Sequence, residues 1–195
     1  SNKITLFFLN SFDFPNTVIG SNDALRYGYG ASQLTWLQSR LSSVPINHKV
    51  LFFSHNGFSG SSTIGDADTS IRNQGALRKL IESFNQSTNV SITQTNISNN
   101  PEYYNLSLNT TFTTKPTNRI IACFSGHWHW DKNQTINGVK HYSLISSVID
   151  PTYNNVTKLT NDVTSDSIKL LLIDKTSFET RIIGYGGNLF DNQLV

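Results

Sequence analysis

The sequence predicts an α/β domain with mixed sheets and an antiparallel C-terminal portion. Three observations carry that reading. Apolar runs of strand length alternate with segments of helical period through residue 84, in the order strand, helix, strand, helix. The pair Asn137-Gly138, the strongest short hairpin signal, separates two further strand-like runs. Finally, residues 168–173 and 178–183 flank a short polar turn at 174–177, as a closing antiparallel pair does.

Residues 3–10 (KITLFFLN) form a short apolar strand, and residues 11–30, rich in Asn, Gly and Tyr, read as a surface loop. Over residues 31–43 Leu34, Leu37 and Leu41 recur at helical spacing beside Trp36, with Ser32 as the expected N-cap and Pro45 as the stop. A strand at 49–53 then leads into a Gly/Ser-rich loop at 57–65. The next helix is expected over 69–84, with Leu77, Leu80, Ile81 and Phe84 on one face and Asp66 or Asp68 near its positive end.

Residues 85–118 are polar, with alternating patches at 90–93 and 105–108 and breaks at Pro101 and Pro116. A compact domain rarely carries a structureless loop of that length, so an insertion or β-ribbon excursion is expected there. Residues 119–124 return to strand, and 134–136 and 139–148 pair across the Asn-Gly turn. All 195 residues are expected to form a single domain.

With 37% hydrophobic residues the chain can bury one sizeable core, and no segment is apolar for long enough to cross a bilayer. Its formal charge of +2 comes from scattered lysines and arginines, so no basic run points to nucleic acid. The single cysteine, Cys123, lies in an apolar strand, where a buried inert thiol is expected. No charged leader followed by an apolar region opens the sequence, as expected of a mature or trimmed chain. Asn85, Asn89, Asn96, Asn105, Asn109, Asn133 and Asn155 each open an Asn-x-Ser/Thr triplet. Composition alone yields roughly five such triplets, so compartment stays open between cytoplasm and secretion.

Three histidines concentrate the chemistry. His55 follows the apolar run 50–53, and His127 and His129 follow the run 120–124 in Ser125-Gly126-His127-Trp128-His129. Each run delivers imidazole to the end of a buried strand, which suits a divalent metal. His48 and His141 lack such flanks and read as satisfied polar residues. Trp36, Trp128 and Trp130 read as core or pocket-wall aromatics, with Trp128 between two candidate ligands able to touch substrate. Asp131 either accepts an imidazole N–H, fixing its tautomer, or caps the turn.

Gly126-His127-Trp128-His129 after a strand, the upstream strand ending in Ser54-His55, and the helix carrying Gln33-Leu34-Thr35-Trp36-Leu37 together resemble the C-terminal half of calcineurin-like metallophosphoesterases. The resemblance covers residues 3–186 apart from the insertion. It implies part of a four-layer α/β/β/α sandwich with two metal ions at the carboxyl ends of its strands. By that pattern His55 and His127 bind one ion and His129 the other, with the ions ~3.5–4 Å apart and Mn, Fe and Zn all suited to imidazole. Such a pair activates a water for attack on a phosphate mono- or diester. Asn56-Gly57 stand where many relatives carry His or Pro, which alters the pocket wall.

The family's Asp-x-His, Gly-Asp-x-x-Asp and Gly-Asn-His-Asp/Glu motifs are absent. Asp13 has no His two residues later, and Gly65-Asp66-Ala67-Asp68 has the wrong spacing and follows His55. Three neutral imidazoles without a bridging carboxylate do not hold two dications together against their repulsion. The expectation is therefore a C-terminal portion of a longer enzyme that binds at most one metal weakly, is inactive alone, and has the missing N-terminal half and a phosphorylated substrate as partners. The alternative is a degenerate, non-catalytic binding module of the same fold. Gly57-Phe58-Ser59-Gly60 is one residue short of a serine-hydrolase elbow, and the loop lacks the Lys-Ser/Thr of a phosphate-binding loop.

Overall fold

The computed structural model describes residues 3–13, 27–58, 71–95, 101–113, 116–127, 129, 131–144, 167–186 and 193–194. The expectations for Asp66, Asp68, Trp128, Trp130, most of the 57–65 loop and residues 145–148 lie outside them.

Strands β1 (Lys3–Leu9), β2 (His48–Ser54), β5 (Ile120–Ser125), β7 (Val139–Ser143) and β6 (Lys132–Ile136) form a five-stranded sheet in the order β1-β2-β5-β7-β6. The first three pairings are parallel and the β6–β7 hairpin is antiparallel, giving a mixed α/β fold. Asn137 and Gly138 both take positive φ, 49° and 77°, as the tight hairpin turn requires. Where β2 meets β5 the register skips one residue between Val50 and Leu51. Ile121 and Ala122 consequently face the same side, and Phe53 and Ser54 lie opposite Phe124 and Ser125.

Helix α1 (Ala31–Ser43) buries Leu34, Leu37 and Leu41 as their spacing predicts, each worth about 1.5–3 kcal/mol. Its N-cap is Gly30 instead of Ser32, because the Gly30 N–H is already taken by the Asp13 carboxylate at 2.8 Å. Val44 ends it in an extended conformation, as the residue before Pro45 must. Trp36 lies on the outer side of α1, partly exposed and edge-on to Phe7. Helix α2 (Gln74–Gln86) begins later than its apolar pattern suggests, since Asn73 at φ 59° breaks the helical path before it.

The helices cover one face of the sheet, packing on Phe7, Val50, Phe52 and Cys123. The polar 85–118 segment is more integrated than an excursion. Asn85 belongs to α2, and strands β3 (Asn89–Gln94) and β4 (Leu106–Thr111), joined through the short helix α3 (Pro101–Tyr104), pair antiparallel. Their alternate residues Val90, Ile92, Leu106 and Leu108 enter the same core. On the other face the hairpin of β8 (Ser167–Ile173) and β9 (Thr180–Gly186), extended by β10 (Gln193–Leu194), brings Leu171, Ile173 and Ile182 against Leu51, Phe124 and Tyr142. No helix among the described residues is long and apolar enough to cross a membrane.

Two polar residues tie these layers together. Asn85 accepts the Ile120 N–H at 2.9 Å and donates to the Gly138 carbonyl at 3.3 Å while buried at 1% exposure. Asn85→Ala is therefore expected to strand a buried amide and cost about 1–3 kcal/mol in a urea denaturation series. Asp13 joins the end of β1 to α1 and α3, receiving bonds from Gln33 and from the Tyr103 hydroxyl. That hydroxyl bond first, then burial, pushes the Tyr103 pKa up to about 12. Folding thus favours the neutral phenol, a contribution present below the ordinary value of about 10 and lost as pH rises toward 12. In a near-ultraviolet alkaline titration Tyr103→Phe is expected to remove one phenol ionising near pH 12.

Candidate metal-binding cleft

The parallel strands end level with one another, and the polar turns beyond them line a cleft of about 460 Å3. His55, His127 and His129 all border it. His127 Nδ1 stands 3.3 Å from His55 Nε2. Two nitrogens bound to one tetrahedral ion at about 2.0–2.1 Å are separated by roughly 3.3–3.4 Å, so the spacing suits a ligand pair. Without an ion it suits an N–H···N hydrogen bond whose direction follows the tautomers. Burial first, and the nearby His129 second, lower the His55 pKa below its ordinary 6.5, so the ring is neutral and able to coordinate at neutral pH.

Backbone geometry marks the same turn. His127 has φ 70° and His129 φ 55°, the left-handed region that costs a side-chain-bearing residue about 1–2 kcal/mol. The preceding Gly126 does not absorb this step; a Cβ there would meet only the His55 carbonyl oxygen, at 3.7 Å. Its N–H donates to that same oxygen at 2.9 Å, locking the two histidine turns together. Such outliers survive where surrounding structure over-determines them, and they gather at functional sites.

Around the imidazole pair two further rings close a cycle. Phe12 lies 5.0 Å from His55, Tyr27 lies 5.0 Å from His127, and Phe12 and Tyr27 are 5.3 Å apart. Both aromatics come from the segment read from sequence as surface loop. Bridges from Phe12 to Gly28 and from Gly28 to Arg72 hold it in place. The only sequence signal for either was its position after the end of β1.

Asn56 is turned away from the cleft. It is buried, accepts the Ser11 hydroxyl at 2.7 Å and receives the Tyr29 hydroxyl on its carbonyl at 3.2 Å. Expected as pocket wall, it instead anchors the backbone from which His55 projects. Asp131 is buried and receives Lys169 Nζ from β8 at 2.6 Å, so its described bond fastens the second hairpin to the turn after His129. His48 sits at the opposite end of β2, bonded to Thr5 at 2.8 Å, and His141 is enclosed in β7.

Among the described residues, no group of three or more His, Cys, Asp and Glu side chains is gathered closely enough to hold an ion. No protein-family model and no curated protein matches the chain. The paired imidazoles and the strained turn therefore carry the functional reading by themselves. His127→Gly is expected to keep or raise the thermal midpoint, because glycine relieves the left-handed strain while deleting the imidazole. A clear fall in the midpoint would show the ring to be structural.

Proposed function

We propose that this chain is the C-terminal portion of a calcineurin-like metallophosphoesterase, one part of its four-layer sandwich, hydrolysing phosphate mono- or diesters with a metal-activated water. The observation that carries the reading is the 3.3 Å approach of two imidazoles from the ends of adjacent parallel strands. His129 bordering the same cleft and the two left-handed backbone residues support it. His55 and His127 would hold one divalent ion and His129 would contribute to a second, with Mn, Fe and Zn all compatible. Bound there, such ions supply a water of lowered pKa and charge stabilisation for a phosphoryl group. The chain's own residues keep the imidazoles spaced, through the Gly126 bond to the His55 carbonyl and the Asn56 anchor, and the lowered pKa of His55 favours its unprotonated ring.

A complete two-ion centre also needs bridging carboxylate. On this reading it comes from the missing N-terminal half, and the chain alone binds at most one ion weakly and turns over little substrate. The lack of a three-donor group among the described residues equally favours a second reading, a degenerate binding module that kept the fold. Expression of the longer parent protein beside this chain separates them, with Mn-dependent hydrolysis of an aryl phosphate and an aryl phosphodiester as the assay. Activity is expected in the parent only, and His127→Ala there should lower it about a hundredfold or more. An active isolated chain would sink the half-site proposal, and an inactive parent carrying the upstream motifs would favour the binding module.

A further inference from the structure

An imidazole that ligates a metal is ordinarily held at its angle by a hydrogen bond from its second ring nitrogen to a carboxylate, a carbonyl or water. His55 is held differently. Among the described residues only His127 hydrogen-bonds its ring, through Nε2, which leaves Nδ1 without a protein partner. Asn56, next in the chain, gives its side-chain oxygen to the Ser11 hydroxyl instead. Something other than a polar contact fixes the tilt of this ring.

Aromatic rings stand in that place. Phe12 lies against His55 with centroids 5.0 Å apart and planes at 42°, and Tyr27 stands edge-on to His127 at 5.0 Å and 66°. The two imidazoles meet at 71° and the two benzene rings at 62°. Each of the four rings thus touches two others, so none turns without displacing a neighbour, and ring quadrupoles favour such tilted contacts over a parallel sandwich. The backbone beneath is fastened on both sides. Gly28 donates to the Ser11 carbonyl at 2.8 Å, and Arg72 donates to the Tyr27 carbonyl at 3.2 Å. A Cβ on Gly28 would lie 2.9 Å from Arg72 Cβ and 3.0 Å from the Tyr104 ring, so the segment seats closer than a side chain there would allow. Phe12 itself adds little to the core. It is 41% exposed, belongs to neither apolar cluster, and has Tyr27 and His55 as its ring contacts.

We propose that Phe12 and Tyr27 are positioning residues, which set the tilt of His55 and His127 by ring contact, in place of a polar partner, so that Nε2 of one faces Nδ1 of the other. Ring contact orients an imidazole without adding charge beside it, so the pair is placed but not made more basic, in keeping with one weakly held ion. The consequence for metal binding rests on the phosphoesterase reading; the placement of the rings does not.

Two measurements on this chain test it: nuclear Overhauser cross-peaks between the His55 and His127 rings without metal, and a titration with cobalt(II) followed by its visible absorption. Phe12→Leu and Tyr27→Leu keep an apolar side chain but remove the ring, whereas Phe12→Tyr and Tyr27→Phe keep the ring. The leucine variants should lose the cross-peaks and bind cobalt about tenfold more weakly or worse, with the thermal midpoint nearly unchanged. The ring-keeping variants should match the unmodified chain in both. Phe12 is exposed, so Phe12→Leu decides alone if Tyr27→Leu lowers the midpoint. Cross-peaks that survive Phe12→Leu, or that are missing from the unmodified chain, overturn the inference whether or not cobalt binds. So does a cobalt affinity that stays the same when the cross-peaks vanish. If the unmodified chain binds no cobalt but loses its cross-peaks in Phe12→Leu, the positioning role stands and the metal reading falls.

Discussion

Parallel pairing of β2 with β5 fixes the position of every group in the cleft. Ser54 lies opposite Ser125 at the last rung of the ladder, so the next residues of each chain segment, His55 on one side and Gly126-His127 on the other, leave the sheet at the same level. The bulge at Ile121 is what makes that rung match. Without it the two strands would be offset by one residue, every side chain beyond would change face, and the imidazoles would point to opposite sides of the sheet. The distance between two ring nitrogens is therefore set by a backbone irregularity several residues away.

Around that rung the molecule spends its buried polar groups on loops more than on the sheet. The Ser11 hydroxyl donates to the Asn56 side chain, and Tyr29, Asn73 and Gln74 donate to the carbonyls of Asn56, Tyr29 and Gly57, bracing the turns behind His55. Arg119, enclosed at the far end of the strands, donates to the carbonyls of Val44, Pro45 and His48 and stacks over Phe84. One end of the sheet is thus stapled by a cation, and the histidine end by side-chain hydrogen bonds together with the Asp13 carboxylate and the Lys169–Asp131 pair.

How much was legible in the sequence depended on the range of the forces involved. The leucines of α1, the apolar strands and the Asn137-Gly138 turn announce themselves within a few residues, and they appear where expected. Features set by distant partners were hidden. Ser32 has the chemistry of an N-cap, but Asp13, from another segment, holds the backbone one residue earlier and makes Gly30 the cap. Asn56 read as pocket wall because it follows His55, yet Ser11 draws its side chain inward. Phe12 and Tyr27 gave no periodic signal at all, because their role exists only once the loop folds back over the histidines. His55, His127 and His129 were visible as strand-end histidines; the left-handed backbone of His127 and His129 was not, because no local residue pattern calls for it.

Asn85 opens an Asn-Gln-Ser triplet, and the atom to which an oligosaccharide would attach is the amide nitrogen that holds the Gly138 carbonyl. The side chain is enclosed, with its oxygen committed to β5. A sugar at this position and the native packing of α2 against the hairpin are mutually exclusive. In a lumen where transferases act on the nascent chain, the polypeptide would have to bury this residue before modification, or lose the fold to it.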